Sequence, residues 1–288
     1  NAMYGLVPFY KKANENGIKP ILGTYIDEPG NKNIYAILLA KHYNGYSDIC
    51  RIISARKLKN DFSLFSLLQN EFENLFILIS SIELLLKIPV YNNIYAELII
   101  TESNKPKARK LFEVAKRKDI KYVISNPVYF SEPEDYKLHK VVSAIRTGST
   151  VKNIKEEELV DKEYYFKPPN YFIDLKNKLP EAFDNAQFII NNCNVDLELG
   201  KHHVPNFPAI TEHSGFTLLW KYAHEGLVKR YGGLAKDIED RLEEELQVID
   251  DLKLSDYFLI VHDIFLEAKR RAMMTLTRGS AANSLVCY

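Results

Sequence analysis

The sequence predicts an α/β fold with largely parallel strands, followed by an all-helical C-terminal part. Between residues 4 and 145, short apolar runs of strand length alternate with segments whose apolar residues recur at helical spacing. That alternation is the pattern of strands joined by helical crossovers. Beyond residue 208 every apolar pattern has the helical period. Between these regions, residues 194–208 contain H-H-V-P-N-F-P and no period, the mark of a link between two domains.

The elements follow in order. Residues 4–15 read as a helix ended by Gly17, residues 18–26 as a strand and residues 34–40 as a fully buried strand. Residues 46–57 are helical, and residues 61–70 carry Leu/Phe spacing suited to a short helix. Residues 75–80 and 94–100 read as buried strands, residues 105–118 as a helix and residues 122–125 as a strand. Pro133-Glu134-Asp135 opens a helix that runs to residue 145, with Gly148 just beyond it. Residues 150–171 are polar, contain Pro168-Pro169 and read as a long surface connection, after which a helix reaches residue 191. Residues 217–231 form a helix stopped by Gly232-Gly233, residues 235–252 one with (i, i+4) charge pairs such as Asp237/Arg241, and residues 257–271 a third. There is no internal repeat and no low-complexity tract.

The 288 residues suffice for two ordinary domains, and 46% hydrophobic with 26% charged residues describes a globular chain rather than a disordered one. The longest apolar stretch, residues 75–90, is interrupted by Glu83 and Lys87, so no membrane span is expected. No signal-peptide pattern opens the sequence. Cys50, Cys193 and Cys287 are odd in number, far apart and without C-x-x-C spacing, which argues against a disulfide framework or a zinc ribbon. A cytoplasmic location follows as the expectation. With 38 basic and 38 acidic residues the net charge is zero, which counts against strong nucleic-acid binding by these residues while leaving room for a local patch.

Residues 277–288 read T-R-G-S-A-A-N-S-L-V-C-Y. Arg278 supplies a fork of donors, Gly279 lets backbone approach a ligand closely, and Ser280 and Ser284 add hydroxyls. A phosphate group asks for this chemistry, although R-G-S also occurs in ordinary turns. The other candidates favour plainer readings. His202-His203 are adjacent and point to opposite faces of an extended segment, which makes a poor chelate. Glu212 and His213 lack an H-E-x-x-H helix. His224 and His262 lie on helices with no carboxylate or His partner at useful sequence spacing. Glu243-Glu244-Glu245 reads as a solvated helix face, Asp256 and Asp263 as capping and surface residues, and Lys269-Arg270-Arg271 as a complement to a helix dipole.

Residues 255–288 resemble the bacterial family C DNA polymerases, the alpha subunits of DNA polymerase III. In that family a Y-F-L-I-V helix with A-K near its end precedes G-P-G-R-G-S-A-A-G-S-L-V-A-Y, and the G-R-G-S turn helps hold the incoming triphosphate. The resemblance implies nucleotide binding at Arg278, Gly279, Ser280 and Ser284. The family's G-P-G is T-L-T here (residues 275–277) and Asn283 replaces a Gly; both changes remove backbone freedom where phosphates would approach. Residues 3–23 resemble the family's N-terminal PHP domain (polymerase and histidinol phosphatase) just after its T-D-H-G-N turn. I-L-L-A-K followed by N-G-Y in residues 33–46 resembles H-L-V-L-L-A-K and E-G-Y, and residues 125–148 resemble T-N-D-V-H-Y, P-E-D and L-L-A-I-x-T-G.

The implied architecture is an incomplete PHP-type (β/α) barrel-like domain over residues 1–195, without its first strands, followed by the N-terminal part of the polymerase palm over residues 196–288. The family's metal-ligand positions fall on Tyr25, Tyr35, Ser81, Pro127 and Tyr129. None of these is a usual ligand for Zn, Mn or Fe, so no metal and no phosphoesterase or proofreading chemistry is expected. The three tyrosines suggest a packed, partly apolar pocket floor, and the absent strands an open sheet edge suited to association with another chain. In the family, Mg²⁺-binding aspartates lie downstream of the G-S-L-V-A-Y segment, so residues 1–288 by themselves are expected not to polymerise DNA and to hold no cofactor. Two readings stand. One is a piece of a replicative or error-prone bacterial polymerase, whose full-length partners are DNA and deoxynucleoside triphosphates. The other is a non-catalytic scaffold that contacts a polymerase, exonuclease or clamp subunit.

Overall fold

The computed structural model describes residues 1–201, 204–207, 214–232, 236–276 and 278–288. His202-His203, Glu212, His213, Gly233 and Thr277 lie outside the described residues. Residues 1–197 and 198–288 form two compact units.

The first unit is an α/β layer structure on a five-stranded sheet of order β1-β2-β3-β4-β5 that does not close into a barrel. Its strands are β1 (Gly23–Glu28), β2 (Asn31–Ala40), β3 (Leu75–Ile79), β4 (Ile94–Ile99) and β5 (Lys121–Ser125). Only β3, β4 and β5 are parallel; β1 pairs antiparallel with β2, and β2 antiparallel with β3. The largely parallel sheet expected from the alternation is therefore corrected to a mixed one. Pro29 and Gly30 connect β1 to β2, and Gly30, at φ 79°, supplies the left-handed residue of this tight hairpin. Two residues leave no room for the helical crossover that a parallel connection needs.

Side chains alternate between the sheet faces, as strand geometry requires. Ala36, Leu38, Ile77, Ile79, Ala96 and Leu98 face one core. Into it pack α2 (Tyr43–Leu58) through Ile49 and Ile52, α4 (Ile82–Lys87) through Leu84 and Leu85, and α5 (Lys105–Arg117) through Leu111 and Val114. Ile37, Leu39, Phe76, Leu78, Tyr95 and Val123 face the other way, onto Ile189 and Cys193 from α8 (Pro180–Asn192) and its C-cap. The remaining helices of this unit are α1 (Leu6–Glu15), α3 (Leu64–Leu67), α6 (Tyr136–Arg146) and α7 (Ile173–Lys178). Helix α4 was hidden in the sequence by the apolar run that it shares with β3. Ser81 caps it by accepting from the Leu84 N–H at 3.3 Å.

Two expected loops are more ordered than their composition suggests. Residues 150–171 are not only a surface connection: Lys167 is buried, and Phe130 and Tyr165 form a bridge of backbone pairing. The domain link starts later than residue 194, because the Asn194 N–H bonds Lys41 O at 2.7 Å and Val195 and Leu197 join the first core. The outer edge of β1 is met by Asn1 and Ala2: the Asn1 amino group donates to Tyr25 O, Asn1 Oδ1 accepts from Asp27 N, and Thr24 donates to Ala2 O. Part of the edge that was expected to lie open is thus occupied.

The second unit is helical: α9 (Gly215–Tyr231), α10 (Lys236–Asp251) and α11 (Ser255–Arg270). Leu219, Leu227, Leu242, Leu246, Ile249 and Leu259 form its core. Gly232 ends α9 in the left-handed conformation (φ 70°), as the Gly-Gly signal predicts. The expected Asp237/Arg241 pair does not form; Arg241 turns one turn onward to Glu245, Nε to Oε1 3.3 Å. Among the described residues no helix is long and apolar enough to cross a membrane.

Candidate functional site

Two places carry the functional expectations, one in each unit. The first is the row of side chains at the C-terminal ends of the parallel strands. On the face opposite the larger core, strand register lines up Tyr35 of β2, Ser80 after β3 and Glu97 of β4, with Tyr25 of β1 and Ser125 of β5 on the same face two residues off that line. Ser125 Oγ donates to Glu97 Oε1 at 2.6 Å. Glu97 is 1% exposed, and its Oε2 has no hydrogen-bond partner, nor does the neighbouring buried Ser80 hydroxyl. Burial pushes the Glu97 carboxyl above its ordinary range, against the opposing pull of Ser125 and Lys107. It is a carboxyl that the fold favours in its neutral form.

The tyrosines are held equally firmly as phenols. Tyr25 is pushed up to about 12, first by burial and then by Asp27 and Tyr129. Burial and the nearby Glu97 raise Tyr35 as well, and burial with Asp161 and Glu97 takes Tyr164 to about 12. The rings of Tyr25 and Tyr35 meet at 4.7 Å between centroids, and Tyr25 Oη donates to Lys32 O at 2.8 Å. Tyr129 departs from the expected pocket floor: it is exposed and stacks on Tyr164 at 6.0 Å. Its surface position follows from the pairing of its N–H with Tyr164 O at 2.8 Å, which holds the strand-like segment outward. Ser81 is spent on capping α4, and Pro127 offers no donor atom.

Beside this row, Asp161 accepts from Thr101 Oγ1 at 2.9 Å and from Ser103 Oγ, and its Oδ1 from the Glu163 N–H at 2.9 Å. Burial would raise this carboxyl, but the bonds from Ser103, Glu163 and Thr101, with Lys167 nearby, hold it below the ordinary range. His139 offers no lone pair, since its Nε2 accepts from the Val160 N–H at 3.3 Å and faces Ser143 at 3.4 Å. Phenols, one carboxyl raised by burial and one aspartate engaged in several hydrogen bonds do not fit a Zn²⁺, Mn²⁺ or Fe²⁺ ion. Among the described residues no three His, Cys, Asp or Glu ligand atoms converge at these strand ends. Sequence reasoning missed Glu97. Its signal was present, as the one charged residue of the otherwise apolar strand I-Y-A-E-L-I.

The second place is the C-terminal turn. Arg278 is extended, and Gly279–Asn283 form a 3-10 turn that begins with Gly279 at φ 71°. A side chain is disfavoured at that backbone position, so Gly279 is required by its conformation. Arg278, Gly279 and Ser280 are exposed together on this turn, and Arg278 makes no hydrogen bond or ion pair among the described residues. Ser284 is turned away: its hydroxyl donates to Glu245 Oε2 at 2.8 Å and accepts from the Cys287 N–H at 3.2 Å. Glu245 also accepts from the Val286 N–H at 3.2 Å, while Arg241 Nη2 donates to Asn283 O at 2.6 Å. Arg241 and Glu245 of α10 thus pin the end of the turn, so Glu245 is not the solvated residue that its Glu-Glu-Glu context predicts. Glu245 meets this turn and is engaged by Ser284, Val286 and Arg241.

Comparison with known proteins matches the regions that hold both places to two families. Residues 1–120 match the PHP domain family, and residues 217–288 match the bacterial DNA polymerase III alpha NTPase domain. The chain is homologous to bacterial DNA polymerase III alpha subunits. It is 30% identical to the DNA polymerase III subunit alpha of Halalkalibacterium halodurans and 28% identical to that of Bacillus subtilis, in each case over 100% of the chain and 28% of the relative. The Error-prone DNA polymerase of Symbiobacterium thermophilum is 26% identical over 100% of the chain and 30% of its own length. The chain therefore spans less than a third of the polymerase III alpha and error-prone relatives that it matches. The polymerase-like turn lies inside the NTPase-domain match, and β1, β2, β3 and β4 lie inside the PHP match.

Proposed function

We propose that this chain is a piece of a DNA polymerase III alpha-type protein that serves bacterial DNA replication or repair synthesis. In this reading residues 1–195 act as a structural PHP-like domain and residues 196–288 open the polymerase palm. The observation that carries the proposal is the exposed turn Arg278-Gly279-Ser280, inside a segment homologous to the alpha NTPase domain. Its free guanidinium suits the triphosphate of a deoxynucleotide. Ser284 contributes by holding the turn to Glu245 rather than by touching phosphate. Among the described residues no carboxylate pair faces this turn, so nucleotidyl transfer is not assigned to it, and the strand-end row is assigned no phosphoesterase chemistry.

Calorimetric titration of a deoxynucleoside triphosphate into the chain tests the reading. Saturable binding is expected, weakened about tenfold or more by Arg278→Ala, since a charge-assisted bond to phosphate contributes ~1.5–3 kcal/mol. Equal affinity in both proteins defeats the assignment. Primer extension with Mg²⁺ and all four nucleotides is expected to give no product from this chain alone.

One observation favours a second reading, a non-catalytic interaction protein. Helix α6 leaves Leu138, Val141, Val142 and Ile145 exposed on one side of unit 1, a larger apolar surface than a scattered residue makes. Complete absence of nucleotide binding in the same titration would move the function to such contacts, with polymerase, exonuclease or clamp subunits as the class of partner.

A further inference from the structure

Helices α9 and α10 bring together three side chains that are far apart in sequence. One nitrogen of His224 and one carboxylate oxygen each from Glu239 and Glu243 all lie within 4.8 Å of one another. His224 Nδ1 lies 3.0 Å from Trp220 O, four residues earlier on the same helix. A carbonyl can only accept, so Nδ1 is the ring nitrogen that carries the proton. In the neutral ring the lone pair belongs to Nε2, which is buried and has no hydrogen-bond partner among the described residues. The imidazole is also clamped on its face, stacked on the Trp220 indole with centroids 3.7 Å apart and planes 25° apart.

Those are the features of a histidine prepared for a cation. A backbone carbonyl bonded to Nδ1 orients the ring and aims Nε2, as the hydrogen-bond partners of metal-bound histidines do. A buried lone pair without a donor costs ~1–3 kcal/mol, a cost that a bound cation removes. Glu239 and Glu243 are one helical turn apart and face the same way. Neither forms an ion pair among the described residues. Two carboxylates facing an imidazole nitrogen give a set of donors suited to a doubly charged ion.

We propose that His224, Glu239 and Glu243 form a divalent-cation site of the Zn²⁺ class, joining α9 to α10. Imidazole nitrogen and carboxylate oxygen are both ordinary Zn²⁺ ligands, and three protein ligands leave a fourth position for water. Ligand atoms around a tetrahedral Zn²⁺ stand ~3.3 Å apart at the usual bond lengths. The inference does not depend on the polymerase reading, because none of the three residues belongs to the nucleotide turn or the strand-end row.

The chain contains one tryptophan, Trp220, which lies against the proposed ligand and reports on it directly. The experiment is a Zn²⁺ titration of the metal-stripped 288-residue chain, followed by Trp220 fluorescence and by calorimetry. The expected result is one equivalent of Zn²⁺ bound, a saturable change in Trp220 emission over the same range, and affinity lowered tenfold or more in both Glu239→Gln and Glu243→Gln. Glu243 is exposed, so its variant keeps the fold even if Glu239→Gln does not, and circular dichroism checks each. Two outcomes overturn the proposal. One is no Trp220 response to Zn²⁺, which leaves the three side chains as an imidazole beside two solvated carboxylates. The other is Zn²⁺ binding of unchanged affinity in Glu243→Gln, which places the metal elsewhere.

Discussion

Glu97 is the residue whose environment departs furthest from its chemistry. A carboxyl at 1% exposure, bonded once by Ser125 and with a bare second oxygen, is destabilised as an anion. Its folded-state pKa lies above the ordinary 4.5, so its contribution to stability is complete below that pH and is lost as pH climbs through the raised value. Glu97→Gln keeps the acceptor for Ser125 and offers an amide donor to the unpartnered Ser80 hydroxyl. The variant is therefore expected to melt higher than the wild type above pH 4.5, with the gap widening as pH rises; a gap that does not change with pH contradicts the neutral-acid account. At the same scale, the positions of Tyr25, Tyr35 and Tyr129 were legible in the sequence. Their packing was not, because Tyr129 is set outward by a backbone bond to Tyr164 that no spacing rule reveals.

At the scale of elements, Gly45 explains why a glycine stands in the N-G-Y segment. It lies in α2, and a Cβ there would come 2.3 Å from Asn74 O. That neighbour is backbone and cannot swing aside. Gly45→Ala is expected to destabilise the first unit by ~1–3 kcal/mol, read as a lower denaturant midpoint at unchanged slope. Helix α2 is also tied to β1 by Arg56, whose Nη2 lies 2.8 Å and Nε 3.1 Å from Asp27 Oδ1. Asp27 is buried, so Arg56→Met removes its cation and leaves a desolvated carboxylate. A loss of ~3 kcal/mol is expected from the same unfolding measurement. Element identity was largely readable: apolar runs of strand length gave β3 and β4 nearly to the residue and β2 without its first three, polar residues. The β1–β2 hairpin was misread because alternation of strands and helices says nothing about a connection of two residues.

For the molecule as a whole, charge is the quantity that composition fixes. Equal numbers of basic and acidic residues provide no long-range field to draw in a polyanion. Duplex DNA is expected to bind these 288 residues no more tightly than the non-specific range of ~10⁻⁴–10⁻⁶ M at physiological salt, measured by fluorescence anisotropy. A nanomolar constant there would reveal a segregated basic surface.

The sequence by itself determined the α/β character of residues 1–195, the helical character of the C-terminal part and the resemblance to the polymerase family. These rest on local periodicity and residue type, which a linear string records in full. Only tertiary structure decided the mixed strand directions, the burial of Glu97, the turning of Ser284 to Glu245 and the meeting of His224 with Glu239 and Glu243. Each depends on which segments pack together, and a histidine without a carboxylate at useful sequence spacing can still face two of them across a helix pair.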